Sequence, residues 1–133
     1  MLVYVMCALA CVIAYVLGGI PSAYLIGKAF GNVDIRTQGS GNVGSTNVAR
    51  TLGAKAGILT LVSDILKAVV AVLIGKFLIG VVGAGAIETT APGGVYDWCA
   101  ALVYLAVILG HMFTPFLHFH GGKGIASGFG GAV

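Results

Sequence analysis

The chain has 133 residues, 59% of them hydrophobic and only 8% charged, where an ordinary soluble domain carries about a quarter charged residues. That balance excludes a typical water-soluble enzyme, and it excludes a disordered segment, which needs low hydrophobicity and high charge. A lipid bilayer is the expected solvent for one membrane domain over 1–133, and the net charge of +3 does not point to nucleic acid, because membrane proteins gather Lys and Arg on their cytoplasmic side.

From Met1 to Gly27 no residue is charged, a run longer than the roughly 20 residues that cross the hydrocarbon core as a helix. No Lys or Arg precedes it, as a secretory signal would require, so it reads as a retained first span. Cys7 and Cys11 stand one turn apart within it and read as packing residues; two thiols without a companion ligand make no metal site. Pro21, after Gly18 and Gly19, predicts a kink or break near the far end.

The segment from Lys28 to Lys55 sets four basic residues, Lys28, Arg36, Arg50 and Lys55, against the single acid Asp34. It is predicted to be a long cytoplasmic loop over about 28–55, helical from Asn47 onward. A second span follows from about Ala56 to Lys76, interrupted by Asp64 and Lys67, which share a face at i and i+3. Charges in lipid are costly enough to imply either a structural ion pair or a role at a site. The connection 80–97 carries Glu88 and Asp97 and no basic residue, which assigns it to the outer side with Trp98 as interfacial anchor. A third span, about Trp98 to Leu117, returns the chain to the cytoplasmic face, where His118, His120 and Lys123 follow. Residues 124–133 begin a fourth span but cover about half of a ~30 Å core, so the chain is expected to be the N-terminal part of a longer membrane protein.

Two stretches can carry chemistry. In Gly39-Ser40-Gly41-Asn42-Val43-Gly44-Ser45-Thr46-Asn47, glycines alternate with hydroxyl and amide side chains, so that backbone N–H groups can converge on an anion. A helix beginning near Asn47 would add its free amides; the alternative is a flexible connection between spans. The second stretch, Gly121-Gly122-Lys123-Gly124, leaves Lys123 free to approach a phosphate or a developing oxyanion, or else to snorkel at a helix end. Both fall on the same predicted side of the membrane.

The run Gly39 to Arg50, the pair Asp64 and Lys67, and Gly110-His111 through Gly121-Gly122-Lys123-Gly124 closely resemble the bacterial membrane glycerol-3-phosphate acyltransferases that use acyl phosphate, the PlsY family. Pro21 and Asp34-Ile35-Arg36 resemble it too. Ser45, Ala68 and Pro115 depart mildly from the pattern. The resemblance implies an all-α integral membrane bundle, here three spans plus the start of a fourth out of seven. It also implies transfer of a fatty acyl group from acyl phosphate to the 1-hydroxyl of sn-glycerol 3-phosphate, giving lysophosphatidic acid and phosphate in phospholipid synthesis. No cofactor or metal is expected. The partners implied are the two substrates, the lipid bilayer and the soluble enzyme that makes acyl phosphate; the location implied is the bacterial inner membrane with the site facing the cytoplasm.

By the family pattern Ser40, Arg50 and Lys123 would contact the phosphate of glycerol 3-phosphate, and Lys123 the carbonyl oxygen as well. Gly39, Gly41, Asn42, Gly44, Thr46 and Asn47 would cradle the acyl phosphate, with Gly121, Gly122 and Gly124 flanking Lys123. His111 is a candidate general base, a substrate phosphate oxygen the stronger one. Two other readings remain open: an anion carrier, which would place its site near the midplane and show a repeated half, and an inactive membrane fragment.

Overall fold

A computed structural model describes residues 1–117 of the chain. Their regular structure is helical throughout: α1 (Leu2–Gly18), α2 (Ser22–Gly31), α3 (Ser45–Leu52), α4 (Ala54–Lys76) and α5 (Asp97–Met112), with short 3-10 turns at Ile35–Thr37, Ile87–Thr90 and Pro115–Leu117. Three stretches, Leu2–Gly31, Ala54–Gly83 and Asp97–Leu117, are long and apolar enough to cross a membrane. The predicted start of a fourth span lies outside the described residues.

The break expected at Pro21 falls between α1 and α2. Proline has no N–H to continue the ladder, and the carbonyls left there turn to side chains: the Thr114 hydroxyl donates to Gly19 O and Lys67 Nζ donates to Ile20 O at 2.8 Å. A matching break follows α5 at Phe113, ahead of Pro115, as expected where proline restricts the residue before it. Tyr15 ties the two breaks together by donating its hydroxyl to Phe113 O.

The polar segment 28–55 is helical at both ends rather than a loop throughout. Lys28 belongs to α2, which stops at Asn32 in the left-handed conformation (φ 49°). Helix α3 begins at Ser45, two residues before the predicted start; Ser45 and Thr46 are weak helix formers, but first-turn positions ask least of propensity. The second span also runs further than expected, because α4 passes into a π-helical stretch, Phe77–Gly83. An apolar run at that depth keeps its backbone groups paired by staying helical.

Small residues form the seam between the spans. Along α1 the buried positions are Val3, Cys7, Ala10, Ala14 and Gly18, spaced as one helix face. Against them stand Ala68, Ala71 and Ile79 from the second span and Cys99, Val103 and Val107 from α5. Leu, Val and Ile side chains point outward from α1 and α4. Lipid tails are as apolar as leucine, so close backbone approach, not exclusion of leucine from water, is what favours association. A Cβ on Gly18 would strike Val107 O, and one on Gly110 would strike Tyr15 O.

A second core, Ala23, Ile35, Val43, Val48, Ala56 and Leu117, lies beyond the breaks and fastens the polar segment to α2, α3, the start of α4 and the end of the third span. The glycine-rich stretch is therefore held over one end of the bundle.

Candidate active site

The glycine-rich stretch is organised around one buried side chain. Asn47 is 2% exposed. Its Nδ2 donates to Gln38 O at 2.9 Å, Asn42 O at 3.0 Å and Ile35 O at 3.3 Å, and its Oδ1 accepts from Ser40 N at 3.2 Å. The amide is thus spent on the loop itself, which makes Asn47 its organiser rather than a free ligand group. Gly39 and Gly41 take positive φ, +52° and +74°, a region costly for other residues, and a Cβ on Gly39 would collide with Asn47 Oδ1.

This folding exposes the groups that could meet an anion. Ser40 and Thr46 are exposed, with Ser40 Oγ accepting from Asn42 N at 3.3 Å. Gly44 caps α3 without a side-chain hydrogen bond, so the first amides of α3 remain open beside the loop. Arg50, on the same short helix, is exposed and forms no ion pair with an acid among the described residues.

The loop begins at a local clamp. Arg36 pairs with Asp34 through two nitrogens, Nε at 3.0 Å and Nη2 at 2.7 Å, while its guanidinium lies 5.1 Å from the Tyr24 ring centroid. The Arg36 hydrogen bond holds the Asp34 carboxyl below its usual 3.8, at about 2. A depressed folded-state value means that the clamp's contribution is complete above 3.8 and is lost as pH falls toward about 2. The backbone N–H of Arg36, which donates to Asp34 Oδ1, should accordingly lose its exchange protection, beyond the intrinsic acid dependence, only in that window. Protection that persists at the acid end would contradict the assignment.

Beneath the loop, the two helix breaks border a small pocket, with a cavity volume of about 10 Å3, lined by Gly19 to Ser22, Val43, Asp64, Lys67, His111, Thr114 and Leu117. Lys67 Nζ lies 3.0 Å from Asp64 Oδ1, 3.0 Å from His111 Nδ1 and 2.8 Å from Ile20 O. Asp64 is 2% exposed, and Lys67 and His111 8% each. Asp64 Oδ1 is fully buried and accepts no aligned hydrogen bond, so its tie to Lys67 is ionic rather than directional.

The structure thus gathers Gly39, Ser40, Gly41, Asn42 and Gly44 into one loop, with Thr46, Asn47 and Arg50 following on α3, and sets His111 in the pocket below. Val43 belongs to both. Gly121, Gly122, Lys123 and Gly124 lie outside the described residues, as do His118 and His120. Sequence reasoning left Asp64, Lys67 and Thr114 out of the site; two opposite charges one turn apart in an apolar span were the available signal, whereas nothing marked Thr114.

Comparison with known proteins gives a consistent result. Residues 8–133 match the family model described as glycerol-3-phosphate acyltransferase. A glycerol-3-phosphate acyltransferase of Clostridioides difficile is 47% identical over 119 residues, 90% of this chain and 53% of that protein. One from Geobacter metallireducens is 50% identical over 117 residues, 88% and 52% respectively. The crystal structure of PlsY (YgiH), an integral membrane glycerol 3-phosphate acyltransferase, in its glycerol 3-phosphate form matches with a TM-score of 0.74 and 37% identity, over 94% of this chain and 55% of that one. The chain spans about half the length of the relatives it matches.

Proposed function

The chain belongs to the glycerol-3-phosphate acyltransferase family and to its multi-pass membrane fold, and from that premise we propose that its residues serve acyl transfer from acyl phosphate to the 1-hydroxyl of sn-glycerol 3-phosphate. The hydroxyl oxygen forms the new ester bond to the acyl carbon, the bond from that carbon to the phosphate oxygen breaks, and inorganic phosphate leaves with the hydroxyl proton. Lysophosphatidic acid remains in the membrane.

An acyl phosphate is a mixed anhydride whose leaving group is already a weak base, so holding two anions in register is the main task. The observation that carries the proposal is the loop around Asn47, which turns Ser40 and the open amides of α3 outward at the end of the bundle where the pocket opens. There the glycines and Thr46 cradle the acyl phosphate, while Ser40 and Arg50, joined by Lys123, hold the acceptor phosphate. The acyl chain stays in the bilayer. The excess of Lys and Arg at this end, against Glu88 and Asp97 at the other, favours a cytoplasmic site in a bacterial inner membrane, open to the soluble enzyme that supplies acyl phosphate.

The test is acyl transfer measured in membranes from the full-length protein with acyl phosphate and glycerol 3-phosphate. Product formation with acyl phosphate supports the reading; movement of the anion across the membrane without product would replace it by a carrier. In the same assay Arg50→Lys should raise KM for glycerol 3-phosphate about tenfold, because a compact ammonium cannot reproduce a forked contact with phosphate. An unchanged KM would remove Arg50 from that role.

A further inference from the structure

The three charged or titratable side chains buried under the loop do more than balance one another. We infer that Asp64 and Lys67 fix His111 as a neutral ring with its proton on Nε2, so that His111 serves the reaction as a hydrogen-bond donor to a substrate oxygen and not as its general base. The inference rests on the acyl-transfer reading and deepens it.

The geometry supplies the argument. An ammonium has three hydrogens and no lone pair. Lys67 Nζ directs one hydrogen to Ile20 O at 2.8 Å and stands 3.0 Å from both Asp64 Oδ1 and His111 Nδ1. Beside an ammonium, Nδ1 can only accept, which leaves the ring proton on Nε2. Protonating Nδ1 as well would face N–H against N–H at that distance. The Asp64 carboxylate, 3.8 Å from Nδ1, holds the lysine charged, while Ile20 O, presented by the break at Pro21, fixes its position.

Among the described residues the other ring nitrogen has no hydrogen-bond partner. Nε2 is not among the fully buried side-chain atoms left without a hydrogen bond, of which the described residues hold one, Asp64 Oδ1. His111 lines the pocket below Val43 of the loop. A neutral N–H donor held at the floor of an anion site is suited to a carbonyl oxygen gaining charge or to a departing phosphate oxygen. It is unsuited to taking a proton, because its one basic nitrogen is covered by Lys67. Proton removal then falls to a substrate phosphate oxygen.

The ring's tautomer is read by 15N NMR of histidine-labelled full-length protein, and the expected signal for His111 is a single Nε2–H form at neutral pH. A ring protonated on Nδ1, or on both nitrogens, would overturn the inference. In activity, His111→Ala should lower kcat about 100-fold, while His111→Gln, whose amide can donate near the Nε2 position but cannot titrate, should stay within about tenfold of the native enzyme with the same pH profile. A glutamine variant as inactive as the alanine one would restore the general base. For the positioning residues, Lys67→Met is compared with the double variant Asp64→Asn/Lys67→Met, which leaves no stranded carboxylate and is expected to fold. In the double variant the ring should become protonated or divide between tautomers; one that keeps a single Nε2–H form would remove Lys67 from the positioning role. Native protein that transfers no acyl group would sink the acyl-transfer reading, while the tautomer measurement would stand or fall separately.

Discussion

Asn47→Ala is expected to lower kcat/KM for acyl transfer about 100-fold while the membrane spans stay folded. The substitution removes one acceptor and a donor group shared among three carbonyls, those of Ile35, Gln38 and Asn42. Unmet buried groups cost about 1–3 kcal/mol each, and the Gln38 and Asn42 carbonyls are only partly buried, so a total of about 3 kcal/mol is reasonable, equivalent to a factor of roughly 100 in the closed loop's population. Gly39 and Gly41 would then be released from their positive-φ conformations, and the Ser40 amide would lose the Asn47 Oδ1 acceptor that fixes it. Asn47→Asp should be no better, since a carboxylate offers acceptors to three carbonyls that need a donor. The check is the rate in membranes alongside proteolysis of the segment 38–44: native activity together with a loop that resists cleavage would show that Asn47 is dispensable.

Gly110→Ala should destabilise the bundle itself, lowering the midpoint of thermal unfolding in detergent by an amount equivalent to about 3 kcal/mol, the upper end for an overpacked core. The added methyl meets Tyr15 O and, at 3.1 Å, the Gly19 amide nitrogen, and backbone on both sides cannot rotate away as a side chain would. Helices α1 and α5 must separate, drawing Thr114 from Gly19 O and His111 from Lys67, so acyl transfer should fall with stability. Gly75→Ala provides the contrast. Its methyl would first meet the Val103 side chain, 2.7 Å away at the nearest atom, and should cost less. Equal midpoints for the two variants would mean that the close crossing at Gly110 does not limit packing.

The fold was legible wherever one rule decided it. Three charge-free or charge-poor runs of membrane length, with proline after two glycines, led directly to three spans and to a break at Pro21, because in lipid an apolar run has few alternatives to a helix. Boundaries were less legible. Phe77–Gly83 reads by length as the end of a span and the start of a loop, whereas the chain stays helical there in a wider form, with Gly80 close against Ile87. In the site, the glycine spacing drew attention to the stretch where Gly39 and Gly41 take positive φ, but the sequence could not tell Asn47, which holds the loop together, from Asn42 and Thr46. Asp64 and Lys67 were visible as a pair. Their meeting with His111, 44 positions along from Lys67, needed the crossing of α4 and α5.

The interruption between α1 and α2 has a consequence for how the buried trio arises. In an uninterrupted helix the Ile20 carbonyl would accept an amide one full turn further on; here it accepts the nearby Ser22 amide at 3.0 Å and still serves as the third prong of a socket that receives the lysine head. A flaw in one transmembrane rod thus becomes the seat of a cation carried by another, and the imidazole inherits its protonation pattern from a proline in a different span.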